Sequence, residues 1–211
     1  QSEERINQLA FYDQLTALPN RTLLLDRLKQ AIAGSARSGN CDALLFIDLD
    51  KFKTLNDTLG HDKGDMLLKQ VARRLTGCVR SGDTVARLGG DEFVVMLVNL
   101  NKQPRDAAAQ TETIGEKILA ELNLPYRLGG IVHHSTASIG ATLFCAGKAE
   151  IETLLKQADL AMYKAKAAGR NALRFFDPHM ETDVINRAAL ENDLHEAIEQ
   201  HQFELHYQAQ M

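Results

Sequence analysis

The chain has 211 residues, with 45% apolar and 25% charged side chains and a formal net charge of −4. Its length allows one full domain with a substantial core, plus some tens of residues that belong to something else. The negative balance argues against bulk attraction to nucleic acid or to an anionic membrane, so a ligand must be argued from a local site.

A short helix is expected over residues 3–11, as the end of an upstream segment, broken where Pro19 and Asn20 mark a turn. Leu23, Leu24, Leu28 and Ile32 follow at helical spacing, with a stop near Gly34. Residues 43–49 form an apolar run interrupted only at Asp48, read as a buried strand whose end carries Asp48 and Asp50. A helix over 51–59 ends at Gly60. After a turn at Gly64, Leu67, Leu68, Val71, Leu75 and Val79 line another.

The run "RLGGDEFVVML" from Arg87 to Leu97 combines a Gly-Gly turn signal with a β-forming stretch, predicting a hairpin of 85–87 against 93–100 with Asp91 and Glu92 presented at its tip. A helix over 106–123, strands over 131–137 and 138–144, a helix over 151–168 stopped by Gly169, and a strand over 173–176 complete the series. This order mixes a βαβ crossover with hairpins, so the fold class is α+β with helices on a mostly antiparallel central sheet. Beyond Pro178, an amphipathic helix over 184–200 and an alternating stretch over 203–207 read as the beginning of a second domain.

Cys41, Cys78 and Cys145 are odd in number and widely spaced, which fits neither a disulfide framework nor a zinc cluster, and a reducing cytoplasm is expected. No apolar run of spanning length is present, so no membrane contact is expected from this segment. His133 and His134 adjoin; on a strand they would face opposite sides and not share a metal.

If the strands carrying Asp48 and Asp91 are neighbours, the two carboxylates converge, and a hard cation such as Mg²⁺ (or Mn²⁺) carrying phosphates suits them. Alternatively both are solvated turn acids. A helix start and Lys53 directly after Asp48 point to a triphosphate site, though Lys51 and Lys53 also fit a solvated face. In "NDTLGHDKGD", Asn56 and Asp65 fit guanine readers, since a carboxylate accepts from both N1–H and the N2 amine; they fit helix caps equally well.

With Gly89-Gly90-Asp91-Glu92-Phe93 joined to Asp48, Asn56 and Asp65, the chain resembles the GGDEF family of diguanylate cyclases from Asp13 to Phe175. The agreement includes Asp13-Gln14-Leu15-Thr16, Leu18-Pro19-Asn20-Arg21, Asp48-Leu49-Asp50-Lys51-Phe52-Lys53 and Gly169-Arg170-Asn171. The resemblance implies a nucleotidyl-cyclase-like palm over residues 13–177 that condenses two GTP into cyclic di-GMP. It implies Mg²⁺ (or Mn²⁺) on Asp48, Asp91 and the Leu49 carbonyl, with Asp91 or Glu92 assisting deprotonation of the ribose 3′-OH. Asn56 and Asp65 would read guanine, with His61, Gly89 and Gly90 lining the substrate and Lys53, Lys166 and Arg170 holding phosphates.

Each domain holds one GTP, so a homodimer is implied. Arg80 and Asp83 match an inhibitory product-binding pattern; the plain alternative is a surface pair worth about 0.5 kcal/mol. The tail "LENDLHEAIEQHQFELHYQAQM" looks like the opening of an EAL phosphodiesterase domain over 178–211, without that domain's metal acids. A rival reading of the whole is a regulatory module that binds GTP or cyclic di-GMP without turnover.

Overall fold

The computed structural model describes residues 8–145, 149–180 and Ile198. Two compact units divide the chain, Gln1–Phe176 and Asp177–Met211. Within the first, the elements run α1 (Arg21–Ser38), β1 (Cys41–Leu49), α2 (Phe52–Leu59), α3 (His61–Cys78), β2 (Thr84–Gly89) and β3 (Glu92–Leu97). They continue as α4 (Pro104–Leu122), β4 (Tyr126–Leu128), β5 (Ile131–His133), β6 (Ala137–Cys145), α5 (Ile151–Ala167) and β7 (Leu173–Phe175). The expected second-domain helix and alternating stretch, along with most of the N-terminal helix, lie outside the described residues; residues 8–11 are helical.

The main sheet has the order β2-β3-β1-β6-β7, antiparallel throughout except for the parallel β6–β7 pair joined through α5. This is the expected α+β class. β1 lies at its centre and is buried along its whole length, which explains a continuous apolar run rather than an alternating one. Ala43, Leu45, Ile47 and Leu49 face a core shared with Leu67, Val71 and Leu75 of α3 and Ile118 and Leu122 of α4. Leu44 and Phe46 face the other core, with Leu24 and Leu28 of α1 and Leu154, Ala158 and Met162 of α5. Alternation on one strand thus fastens helices to both faces of the sheet.

Gly140 of β6 is where α5 comes closest. A Cβ there would collide with the Ala158 carbonyl oxygen and the Met162 nitrogen, and would meet the Ala161 carbonyl carbon at 2.8 Å. Only a residue without a side chain lets the helix backbone rest on the strand.

Several expectations change. Gly64 is no turn: α3 starts at His61, and Gly64 is buried inside it against Asn56 and Phe52. Asp65 is therefore no N-cap, because that position belongs to Gly60. The strand expected over 131–137 ends at His133, and Tyr126–Leu128 pairs with it as a small separate hairpin. Arg74 secures that hairpin's entry by donating to the carbonyls of Glu121, Leu124 and Pro125 and stacking 3.8 Å from the Tyr126 ring centroid.

The cysteines are also corrected. Cys41 and Cys145 are register partners at the ends of β1 and β6 and form a disulfide across 104 residues of sequence; Cys78 is free and buried. Wide spacing concealed a pairing that the sheet brings together.

Candidate functional site

The site begins where β1 leaves the sheet. Asp48 sits opposite Glu92 in the β1–β3 register, so the hairpin tip delivers its acids beside the end of the central strand. Gly89 and Gly90 both adopt positive φ, 150° and 51°, and the register slips between Arg87 and Gly89. That conformation needs glycine and turns Asp91 and Glu92 over the sheet edge. Both acids are half-buried, so the tip does more than present charge to solvent.

Asp48 is buried at 8% exposure, and its carboxylate accepts a 2.8 Å ion pair from Lys166 near the end of α5. Burial raises its pKa to about 6; Lys166 opposes the rise, and the negative charge of Asp91 and Glu92 adds to it. Glu92 is also raised, first by burial and then by Asp159 and Asp91. Asp159, exposed overall but raised by partial desolvation, lies one helical heptad before Lys166 and so on the same face of α5. It belongs to this cluster and was not recognised in the sequence, although its spacing from Lys166 carried the signal.

Asp50, two residues beyond Asp48, has a different role. Its oxygens accept from Thr136 Oγ1 at 2.6 Å, Ser138 Oγ at 2.8 Å and the Asn171 N–H at 3.2 Å. These bonds tie the end of β1 to β6 and to the turn after α5, where Arg170 and Asn171 hold positive φ. Arg170 is exposed on that turn.

Lys51 takes a left-handed conformation before α2, and exposed Lys53 follows in the helix's first turn. Asn56 is half-buried with its Oδ1 unbonded beside Gly64, and Asp65 and His61 are exposed on the opening turns of α3. The nucleotide-reading candidates thus share the α2–α3 corner, while Asp48, Leu49, Asp91, Glu92 and Lys166 gather at the strand ends.

Arg87 and Asp13, present in the quoted motifs but given no role, prove to brace the hairpin. Arg87 donates to both Asp13 oxygens at 2.8 and 3.1 Å and twice to the Gly90 carbonyl at 3.1 and 2.7 Å. Burial pushes the Asp13 carboxyl up, but hydrogen bonds from Thr16 and Arg87 outweigh it and hold the group below its ordinary value. One guanidinium therefore links the turn beginning at Asp13 to the tip bearing Asp91.

Arg80 and Asp83 lie at the far end of β2 from that tip. Arg80 Nε lies 3.8 Å from Asp83 Oδ2, an ion pair in which the Arg80 side chain is 65% exposed and that of Asp83 only 2%. Asp83 also accepts from the backbone N–H groups of Arg80 and Val98 at 2.9 and 3.1 Å, which shapes the turn.

Two carboxylates, Asp48 and Asp91, with the Leu49 carbonyl form a hard-oxygen set suited to a divalent cation that takes its other ligands from phosphates. Asp48 is raised first by burial, and the negative charge of Asp91 and Glu92 that adds to the rise fits such an ion. Among the described residues no group of three or more His, Cys, Asp or Glu side chains is placed to hold a metal alone. None of their helices is long and apolar enough to cross a membrane.

Residues 10–172 match the family model described as diguanylate cyclase, GGDEF domain. The chain is 44% identical over 201 residues to the bifunctional diguanylate cyclase/cyclic di-GMP phosphodiesterase MucR of Pseudomonas aeruginosa, covering 95% of this chain and 28% of that protein. It is 37% identical to the cyclic di-GMP phosphodiesterase NbdA of the same organism, covering 96% of this chain and 25% of that one. The chain thus spans about a quarter of these relatives' length. The GGDEF domain of PA1120 (TpbB or YfiN), also from P. aeruginosa, aligns with a TM-score of 0.77 at 37% identity, covering 82% of this chain and 98% of that structure.

Proposed function

The chain belongs to the GGDEF family of diguanylate cyclases, and we propose that it condenses two GTP into cyclic di-GMP with release of two pyrophosphates. The observation carrying this reading is the register of Asp48 with Glu92, which assembles the strand-end acids around one point. A retired site has no chemical need for that concentration of charge.

In this reading Asp48, Asp91 and the Leu49 carbonyl hold Mg²⁺ or Mn²⁺. When bound, the ion supplies Lewis-acid polarisation of the α-phosphoryl group and lowers the pKa of the ribose 3′-OH. Asp91 or Glu92 takes the 3′-OH proton, and burial raises the pKa of Glu92, making it a stronger base than an ordinary carboxylate. Lys166 and Arg170 at the end of α5, Lys53 and the free N–H groups opening α2 bind the phosphates. Lys166 exchanges its bond to Asp48 for one to phosphate as the nucleotide enters.

Asn56 and Asp65 read the guanine edge, with His61, Gly89 and Gly90 lining the nucleotide. A homodimer brings two such half-sites face to face. Exposed Arg80, paired with Asp83 in its turn, binds the product and inhibits. The bifunctional name of MucR supports an EAL-like phosphodiesterase domain adjoining this one.

A relative named only as a phosphodiesterase, NbdA, supports a second reading as a nucleotide-binding regulator of an adjacent domain. The two are separated by Asp91→Ala. Loss of at least a hundredfold in cyclic di-GMP formation with an unchanged melting transition supports catalysis; no turnover by the unaltered chain, with GTP bound, supports the regulator.

A further inference from the structure

A cavity of about 670 Å³ opens on the β6 side of the end of β1, away from the acids. Its wall is Thr54, Leu55, Thr58 and Leu59 of α2, closed by His133 to Thr136 and by Gly169 to Asn171. Thr58 and Asn56 are two residues apart and so point about 160° away from each other around the helix. The cavity is therefore a different surface of α2 from the one that meets α3, and Asp48, Asp91 and Glu92 do not line it.

Its chemistry is one-sided. Lys51 and Arg170 supply two fixed positive charges at its rim, and His133 and His134 add two imidazoles. Both histidines reach the same cavity because β5 ends at His133, so strand alternation does not separate them. The one acid in the lining, Asp50, already accepts from Thr136, Ser138 and Asn171. Leu55 and Leu59 provide an apolar floor, and Thr54 and Thr58 offer hydroxyls. The volume falls in the range of small-molecule sites, which pair a largely apolar lining with a few placed polar groups.

We propose that this cavity is a second ligand site, taking a small organic anion with an apolar ring body held between the α2 leucines and the Lys51, Arg170 and histidine rim. Arg170 also belongs to the phosphate-binding set proposed above, so an occupant here would compete for the same guanidinium and couple the two sites. Binding itself does not depend on the cyclase reading.

The probe is 1-anilinonaphthalene-8-sulfonate, titrated into the full chain by calorimetry. Saturable binding at one site per chain is expected, weakened at least tenfold by Thr58→Trp, which fills the cavity from an exposed helix position, and about threefold by Lys51→Gln. Asp91→Ala should bind the dye normally whether or not it retains turnover, which separates this inference from the catalytic one. Melting curves confirm that each variant is folded. Absence of saturable binding, or equal affinity in the unaltered chain and Thr58→Trp, would overturn the assignment.

Discussion

Replacing Gly140 by alanine tests how α5 is held on the sheet. Alanine in a strand would by itself stabilise by at most about 1 kcal/mol through the unfolded chain. Here its methyl group meets backbone atoms of Ala158, Ala161 and Met162, which cannot swing aside as a side chain could. The nearest ordinary contact lies at 3.4 Å, so α5 must retreat by roughly 1.4 Å, enough to forfeit about half of the dispersion energy across the gap. Leu154, Ala158, Ala161, Met162 and Ala165 are the buried residues of α5, together about 6 kcal/mol of apolar burial.

The expected loss is thus about 3 kcal/mol, less the small entropic gain. Urea unfolding would show it as a lowered midpoint at constant m. Gly34→Ala in α1 is the matched control, since nothing lies within 4 Å of its added methyl, and it should stabilise by up to about 1 kcal/mol. A neutral or stabilising Gly140→Ala would refute the reasoning. Because α5 carries Lys166 and leads into Arg170, GTP binding should weaken in the same variant.

Asp42, 3% exposed, is raised to about 6 by burial, with Asp83 adding to the rise against the Asn99 N–H bond. A folded pKa above the unfolded one means stability present at low pH and lost as pH climbs from 3.8 to about 6. Asp42→Asn keeps an acceptor for Asn99, so it should be more stable at neutral pH by on the order of 1–3 kcal/mol and flatten the profile in that window; an unaltered pH profile would count against it. Reducing the Cys41–Cys145 bond, which closes a loop of 104 residues, should lower stability by up to about 4.7 kcal/mol on chain-entropy grounds, and identical melting with and without dithiothreitol would contradict the pairing. Gly64→Ala displaces Asn56, whose Oδ1 occupies the position of the new methyl, so GTP affinity should fall about tenfold with little change in melting; unchanged affinity would remove Asn56 from guanine recognition. Arg80→Ala should shift inhibition by added cyclic di-GMP at least tenfold, and an unmoved curve would leave Arg80 without that role.

What could be read from the sequence was local. The Gly-Gly pair and the apolar run over 43–49 each signal their conformation within a few residues and appear as expected, whereas Pro19 bridges to Tyr12, Asn20 caps α1 in an extended conformation, and the turn lies at residues 14–16. Gly64 misled because a buried helical glycine and a turn glycine look alike without the neighbour that demands the space, here Asn56. The brace between Asp13 and Arg87 spans 74 residues and the disulfide spans 104, so neither pairing shows in local patterning. Asp83 looked like a solvent-facing partner of Arg80 because nothing nearby in sequence announces that Val98 lies above it.

The central claim is that two half-sites of this kind meet to join two GTP. Its most direct test is the initial rate of cyclic di-GMP and pyrophosphate formation from GTP and Mg²⁺ over a range of protein concentrations. A rate rising with the square of concentration at low protein is the predicted result. Its absence at every concentration, with the fold intact and GTP bound, would contradict the account.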